Sequence, residues 1–198
     1  MAKGFTGVTD KTSKNLLLDS GAFFINYDIT TDTYATAKAA GKLLGATRGG
    51  GSFTAVPEVR NIEVDGLAGA SKGFTVIDSW EVRIGANVIE VTAKILQTAL
   101  AAAKNSYDID SDSDKITGKG TIELTDYINN VTFVGKRLGF DAPMIIQVFN
   151  ALNTNGLSLT TSDKGESVIA LDFQGHYDVV GDDTPPFAIY IPSDYDFS

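Results

Sequence analysis

The sequence predicts a mainly β fold: a β-sandwich or partial barrel with a flanking α-helix packed across one side and a long hairpin. Apolar and polar residues alternate with a period of two through most of 60–84, and short β-rich runs separated by turn signals fill the second half. Helical spacing is confined to 33–44 and 92–104. With 198 residues, 43% of them hydrophobic and 21% charged, the chain has material for an ordinary core. Its length fits one domain, 1–198, and no composition shift marks a boundary.

In chain order, the Gly- and Thr-rich leader 1–14 reads as a free N-terminal arm. Three leucines at 16–18 and the run GAFFINY at 21–27 read as a buried strand pair or a bent strand. Tyr34, Ala37, Gly41 and Leu44 share one helix face, with Asp32 or Thr33 to cap it and Gly45 to end it. The run RGGGS at 48–52 breaks that pattern and reads as a flexible hinge. Arg60, Ile62 and Val64 then alternate with Asn61, Glu63 and Asp65, as in a strand with one polar face.

After a Gly/Ala loop at 66–73, Phe74, Val76, Trp80, Val82 and Ile84 take one parity and Thr75, Ser79, Glu81 and Arg83 the other. Pairing of these strands makes the long hairpin. Asp78 breaks the apolar parity, which calls for a bulge or an edge position. A turn at 85–87 leads to the alanine-rich helix 92–104, with Ile95, Leu96, Ala99, Leu100 and Ala103 on one stripe and Asn105 at its end. Beyond an acidic loop at 107–119, strands are expected at 121–124, 131–136, 144–149, 157–161, 167–174 and 187–191. Residues 144–149 are apolar on nearly both faces, as a central strand is. Turn signals at Asn155-Gly156 and Lys164-Gly165 make the second half an antiparallel meander.

Charge and composition remove whole classes of function. Sixteen basic against 25 acidic residues give a formal net charge of −9, which opposes adsorption to nucleic-acid phosphates or anionic lipid. No cysteine and one histidine leave no disulfide framework, no thiolate nucleophile and no Cys/His zinc site. No run approaches the roughly 18 apolar residues of a membrane span, and residues 1–14 lack the apolar core of a secretion signal. The reading is a soluble protein without an export signal.

The candidate chemical motifs fail on spacing. Gly41-Lys42 has Thr36 where a phosphate-binding loop needs its first glycine, and Leu43 where it needs Ser or Thr. The triple glycine at 49–51 follows a helix and enters a strand, the reverse of the order that presents helix N-terminal amides. Asp108, Asp110, Asp112 and Asp114 alternate as in a calcium loop. Counted from Asp110, however, the obligatory glycine is Lys115 and the bidentate acid is Thr121; counted from Asp108 they are Ser113 and Lys119. His176 stands near Asp172 and Asp178 without a nucleophile elbow, and Trp80 shares the packing parity of its strand. No catalytic residue, metal ligand or cofactor site is expected, and hence no enzyme.

The stretch KLLGATRGGGSFTAVPEVRNIEVDG at 42–66 resembles the signature of major tail proteins, the tail tube proteins of long-tailed bacteriophages. NLLLDSG at 15–21, the residues 73–78 and 89–92, and NALNTNGLSLTTSDKGESVIALDFQGH at 150–176 resemble that family in the same order. The resemblance implies a β-sandwich with a flanking helix that assembles into hexameric rings, stacked into a hollow tube for genome passage, with each subunit giving strands to a continuous inner barrel. It implies self-association as the main partnership, with tail completion, initiator and tape-measure proteins as further partners and DNA only as transiting cargo. The location implied is the virion tail, assembled in the host cytoplasm.

On that basis Glu63, Asp65, Ser79, Glu81, Arg83, Asp172 and Gln174 are the candidate lumen lining, an acidic wall that repels phosphate. Arg83 is expected to pair with Glu81 across strands and so be hidden from DNA. Arg48, Gly49, Gly50, Gly51, Leu67 and Trp80 are candidates for contacts between subunits or rings. The arm 1–14, the hinge, hairpin and loop region 45–73 and the C-terminal arm 178–198 are expected to bridge neighbours. The rival reading is a carbohydrate- or receptor-binding virion β-sandwich with an exposed aromatic and carboxylate cleft. A hydrolase using Asp or Glu is a third.

Overall fold

The computed structural model describes residues 6–18, 20–161, 163–180 and 183–192. Its strands and helices run β1 (Ala22–Ile25), α1 (Tyr34–Ala39), β2 (Thr47–Asn61), β3 (Thr75–Val88), α2 (Ala93–Ala99), β4 (Ala103–Asp108), β5 (Ser113–Gly118), β6 (Ile128–Gly135), β7 (Met144–Asn153), β8 (Ile169–Gln174) and β9 (Phe187–Tyr190). The fold is mainly β, with small helices beside a large antiparallel sheet system and one long hairpin.

That system has seven strands in the order β1-β6-β7-β8-β3-β2, with β9 also on β7, while β4 and β5 form a separate hairpin. The expected antiparallel meander holds from β6 through β7 to β8 and breaks at β9, which returns to β7, and β7 itself changes sheets. Ile145–Val148 pair with β9, whereas Leu152 and Asn153 pair with Gln174 and Phe173 of β8. Between them Asn150 sits at φ 47°, a left-handed kink that lets one strand form the corner of two packed layers. Phe23, Val82, Ile84, Val88, Val131, Val148, Ile169, Leu171 and Phe173 form one buried cluster drawn from both layers, joined by Ile95 and Ala99 of α2. Burial on this scale, at roughly 25 cal/mol per Å² of apolar surface, is the main force holding the layers together.

The hairpin of β2 and β3 is the longest local feature. Glu58 opposes Ser79 and Val59 opposes Ile77, so Asp78 is the extra residue of a β-bulge, as its charge on the apolar parity predicts. The bulge reverses parity. Ile77 carries on the face of Trp80 and Val82, and Phe74 and Val76 fall on the opposite face rather than with them. Arg60 holds the displaced Asp78 carboxylate with bonds of 3.0 and 3.1 Å.

Other sequence expectations are corrected. β2 begins at Thr47, so Arg48, Gly49, Gly50 and Gly51 belong to a strand with a register irregularity between Thr47 and Gly51, not to a hinge. A Cβ on Gly51 would overlap the Phe23 ring and the Gly85 carbonyl, which explains the glycine by close approach. β3 continues through the expected turn at 85–87. α1 is capped by Thr33 but stops at Ala40, where Gly41 turns left-handed (φ 69°), before Gly45 is reached. α2, capped by Thr92, ends at Leu100 because Ala101 is left-handed (φ 61°), and Ala103 opens β4 instead of extending the helix.

The acidic loop is largely the β4–β5 hairpin. Residues 121–124 form no strand, and Leu124–Asp126 is a 3-10 turn. Leu159 makes only an isolated bridge to Ile169, where a strand over 157–161 was expected. Leu16, Leu17 and Leu18 are exposed rather than buried, and the end of the leader is docked: Gly139 N–H donates to the Lys14 carbonyl at 2.9 Å and Leu138 N–H to that of Leu16 at 3.1 Å. Residues 1–5 of the N-terminal arm and 181–182 and 193–198 of the C-terminal arm lie outside the described residues, while Phe187–Tyr190 of the latter are β9, integral to the sheet.

Candidate functional site

Cross-strand register gathers five of the seven candidate lining residues on one sheet face. Arg83 lies opposite Gln174 and Thr54, Gly85 opposite Asp172 and Ser52, Glu81 opposite Val56, and Ser79 opposite Glu58. Paired residues share a face, so Ser52, Thr54, Val56, Glu58, Ser79, Glu81, Arg83, Asp172 and Gln174 form one surface. The opposite parity, Ala55, Val82, Ile84, Leu171 and Phe173, packs into the core.

Arg83 is the hub of that surface. Its Nε donates to Glu81 Oε1 at 3.0 Å, Nη1 to Asp172 Oδ2 at 2.9 Å and to Thr154 Oγ1 at 3.4 Å, and Nη2 to Gln174 Oε1 at 3.3 Å. The Glu81 bond runs along β3; the cross-strand partners are Asp172 and Gln174. Glu81 first, with Asp172 beside it, raises the guanidinium above the ordinary arginine range, so its charge is permanent. Asn155 Nδ2 donates to Asp172 at 2.8 Å, and Ser79 Oγ to Glu58 at 2.8 Å. Three carboxylates, Glu58, Glu81 and Asp172, thus share the face with Arg83, which two of them engage, and with Arg60, next after Glu58 on that parity of β2 and paired with Asp78. The surface is negative and offers little to a phosphate.

Glu63 and Asp65 lie apart from it. β2 ends at Asn61, so both stand exposed in the hairpin tip with Leu67, which is 43% exposed. The tip is held at its base by Ile62 N–H on the Phe74 carbonyl at 2.7 Å. Ser52, Thr54 and Glu58 were missed because the sequence reading began the strand at Arg60. The alternation of Phe53, Ala55, Pro57 and Val59 against them was the available signal, obscured by the glycines before it and by Pro57 within it.

The candidate contact residues divide. Arg48 is exposed and paired with Glu166. Trp80 is half-buried within its own chain, its ring 5.4 Å from that of Phe187 and its amide donating to Tyr177 Oη at 2.8 Å. The outer edge of β2 is a different matter: β3 covers one side of its 15 residues, and among the described residues no strand covers the other.

His176 has a structural task. Its Nδ1 lies 3.0 Å from the Asn150 carbonyl, and its ring meets that of Tyr127 edge-on at 5.1 Å. Asp108, Asp110, Asp112 and Asp114 lie around the turn of the β4–β5 hairpin, where Tyr107 Oη bonds Asp112. A polar cavity of about 420 Å³ is lined by Asn26, Asp28, Asn129, Asn130, Gln147, Phe149 and Tyr190. Two of its four amides are engaged internally, Gln147 Nε2 with the Tyr27 carbonyl and Thr132 Oγ1, both at 3.0 Å, and Asn130 Nδ2 with the Tyr27 carbonyl at 3.1 Å, while Asn26 and Asn129 are exposed. Among the described residues no helix is long and apolar enough to cross a membrane. No protein-family model matches this chain, and no curated protein matches it in sequence.

Proposed function

We propose that the chain is a structural subunit of a bacteriophage tail tube, assembling in the host cytoplasm into rings that stack around a channel for DNA. The observation that supports this best is the pairing of two features on one sheet: a negative face whose central arginine is bound by the protein's own carboxylates, and a long strand edge that has no partner strand among the described residues. An open edge of this length invites association, and a closed ring satisfies it without leaving edges for aggregation.

The sheet carries β2, β3, β8 and the end of β7. Four strands from each of six subunits, spaced about 4.8 Å and tilted about 45°, make a cylinder roughly 50 Å across at the backbone. That leaves room for a DNA duplex inside the side chains. In a bore lined by Glu58, Glu81 and Asp172, the two arginines of the face, Arg83 and Arg60, are held by the chain's own carboxylates, which weakens their pull on a moving polyanion. The role is mechanical and electrostatic, with no catalytic step; tail completion, initiator and tape-measure proteins are the partners this reading calls for.

Electron microscopy of concentrated protein, with and without tail initiator complex, tests it. Rings or hollow filaments are expected, and a protein that stays monomeric under both conditions contradicts it. The rival glycan-binding reading would use the cavity at Asp28 and Tyr190, where Asn130 and Gln147 are turned inward while Asn26 and Asn129 are exposed. Saturable binding of a glycan there, without assembly, would favour the rival.

A further inference from the structure

The sheet that carries the negative face has a second incomplete edge. Leu152 and Asn153 pair with Gln174 and Phe173, and Leu159 bridges Ile169, all antiparallel. Residues 152–161 therefore follow the outer edge of β8, paired at both ends and unpaired between. The run Leu157-Ser158-Leu159-Thr160-Thr161 has the alternation of a strand, and its faces match the sheet it borders. Leu159 shares a face with Ile169, and Leu157 packs on the core. Ser158 and Thr160 take the opposite parity, that of Asp172, and are exposed. The chain just before them already reaches that face, through Thr154 on Arg83 and Asn155 on Asp172.

We infer that the ring closes by antiparallel pairing of residues 52–56 on the β2 edge with residues 157–161 of the next copy, which thereby become a full strand; this deepens the tube reading and rests on it. Direction supports the joint. β2, β3, β8 and 152–161 alternate up and down, so β2 and 152–161 point in opposite senses within one chain. Copies related by rotation about a tube axis keep those senses, and the joint between them is antiparallel like every other pair in the sheet. Polarity supports it as well. Phe53 and Ala55 would continue the apolar face of Leu157 and Leu159, while Ser52 and Thr54 would continue the polar face of Ser158 and Thr160.

Pro57 sets the limit. It has no N–H to give a ladder, so a β2 made central by a neighbour can pair on both sides only up to Val56. The segment 52–56 is as long as 157–161.

The chain has no cysteine, so engineered pairs report cleanly. S52C or T54C is combined with S158C or T160C in one chain, assembled, oxidised mildly and run on a non-reducing gel, with each single variant alongside. At least one double variant should give a ladder of covalent oligomers, and each single variant should remain monomeric on the gel. Tubes in micrographs without a ladder from any pair would overturn this joint and leave the tube reading standing. A covalent dimer from T54C alone would overturn it in favour of a two-fold β2–β2 contact. The absence of any assembly would overturn the joint together with the tube reading.

Discussion

Nδ1 of His176 lies 3.0 Å from the carbonyl oxygen of Asn150, and the Asn150 side-chain amide donates to the His176 carbonyl at 3.2 Å. His176 N–H also donates to the Phe149 carbonyl at 3.2 Å. The two residues clamp the point at which β7 leaves one sheet for the other, so the lone histidine serves the corner of the sandwich. His176→Ala removes the ring bond and the packing on Tyr127 and is expected to cost about 1–2 kcal/mol of stability, read by urea unfolding. Asn150→Val also forces a β-branched residue into a left-handed kink and should cost more than Asn150→Gly, which keeps the backbone free. Equal losses for the two Asn150 variants would show that the kink is not constrained.

Gly51 meets Phe23 and the Gly85 carbonyl at a distance no side chain can share. Gly51→Ala should destabilise by about 1–3 kcal/mol through overpacking. Gly50→Ala adds a Cβ in open space at φ 73° and should cost only about 1 kcal/mol, from backbone strain. Thermal melts of the two variants separate crowding from conformation. A milder effect at Gly51 than at Gly50 would contradict the packing argument.

Asp28 accepts hydrogen bonds from the Thr30 hydroxyl and amide, which pull its carboxyl from 3.8 down to about 2. Asp32 is likewise lowered, first by its 2.5 Å bond from Lys42. Both carboxyls bind protons less readily folded than unfolded. Their stabilisation is therefore complete above about pH 4 and is lost as pH falls toward 2. Asp28→Asn should melt below the parent protein at pH 7, and the two curves should converge on acidification. A constant difference down to pH 2 would contradict the assignment.

Replacing Glu58 and Glu81 with lysine turns the negative face positive without touching the core parity. Assembly should persist, while genome release from particles carrying the variant should slow and become strongly dependent on salt, because each lysine adds a phosphate contact. Release kinetics followed by dye uptake into ejected DNA would read this. Unchanged kinetics at low salt would remove this face from the channel.

How far the sequence could be read depended on whether the deciding force was local. The long hairpin was legible because period-two alternation is a side-chain pattern, and the bulge was legible because Asp78 stood on the wrong parity. The sheet exchange at Asn150 was not, since a single left-handed residue leaves no periodic trace. Ala103 sits on a helical stripe by spacing, yet the pairing of β4 with β5 claims it, a tertiary preference that overrides alanine's helix propensity. The triple glycine read as a hinge because the Phe23 ring that requires Gly51 lies far away in sequence. Of the candidate lining, Ser79, Glu81, Arg83, Asp172 and Gln174 came together because β3 and β8 are paired in the expected alternation. Glu63 and Asp65 did not, because the strand stops at Asn61 and alternation alone cannot say where a hairpin ends.

Cryo-electron microscopy of the assembled particle tests the central claim most directly. The account predicts a hollow tube of stacked rings whose inner wall carries Glu58, Glu81 and Asp172 around a self-paired Arg83. A particle in which this sheet face points outward, or a bore lined by lysine and arginine, would contradict it.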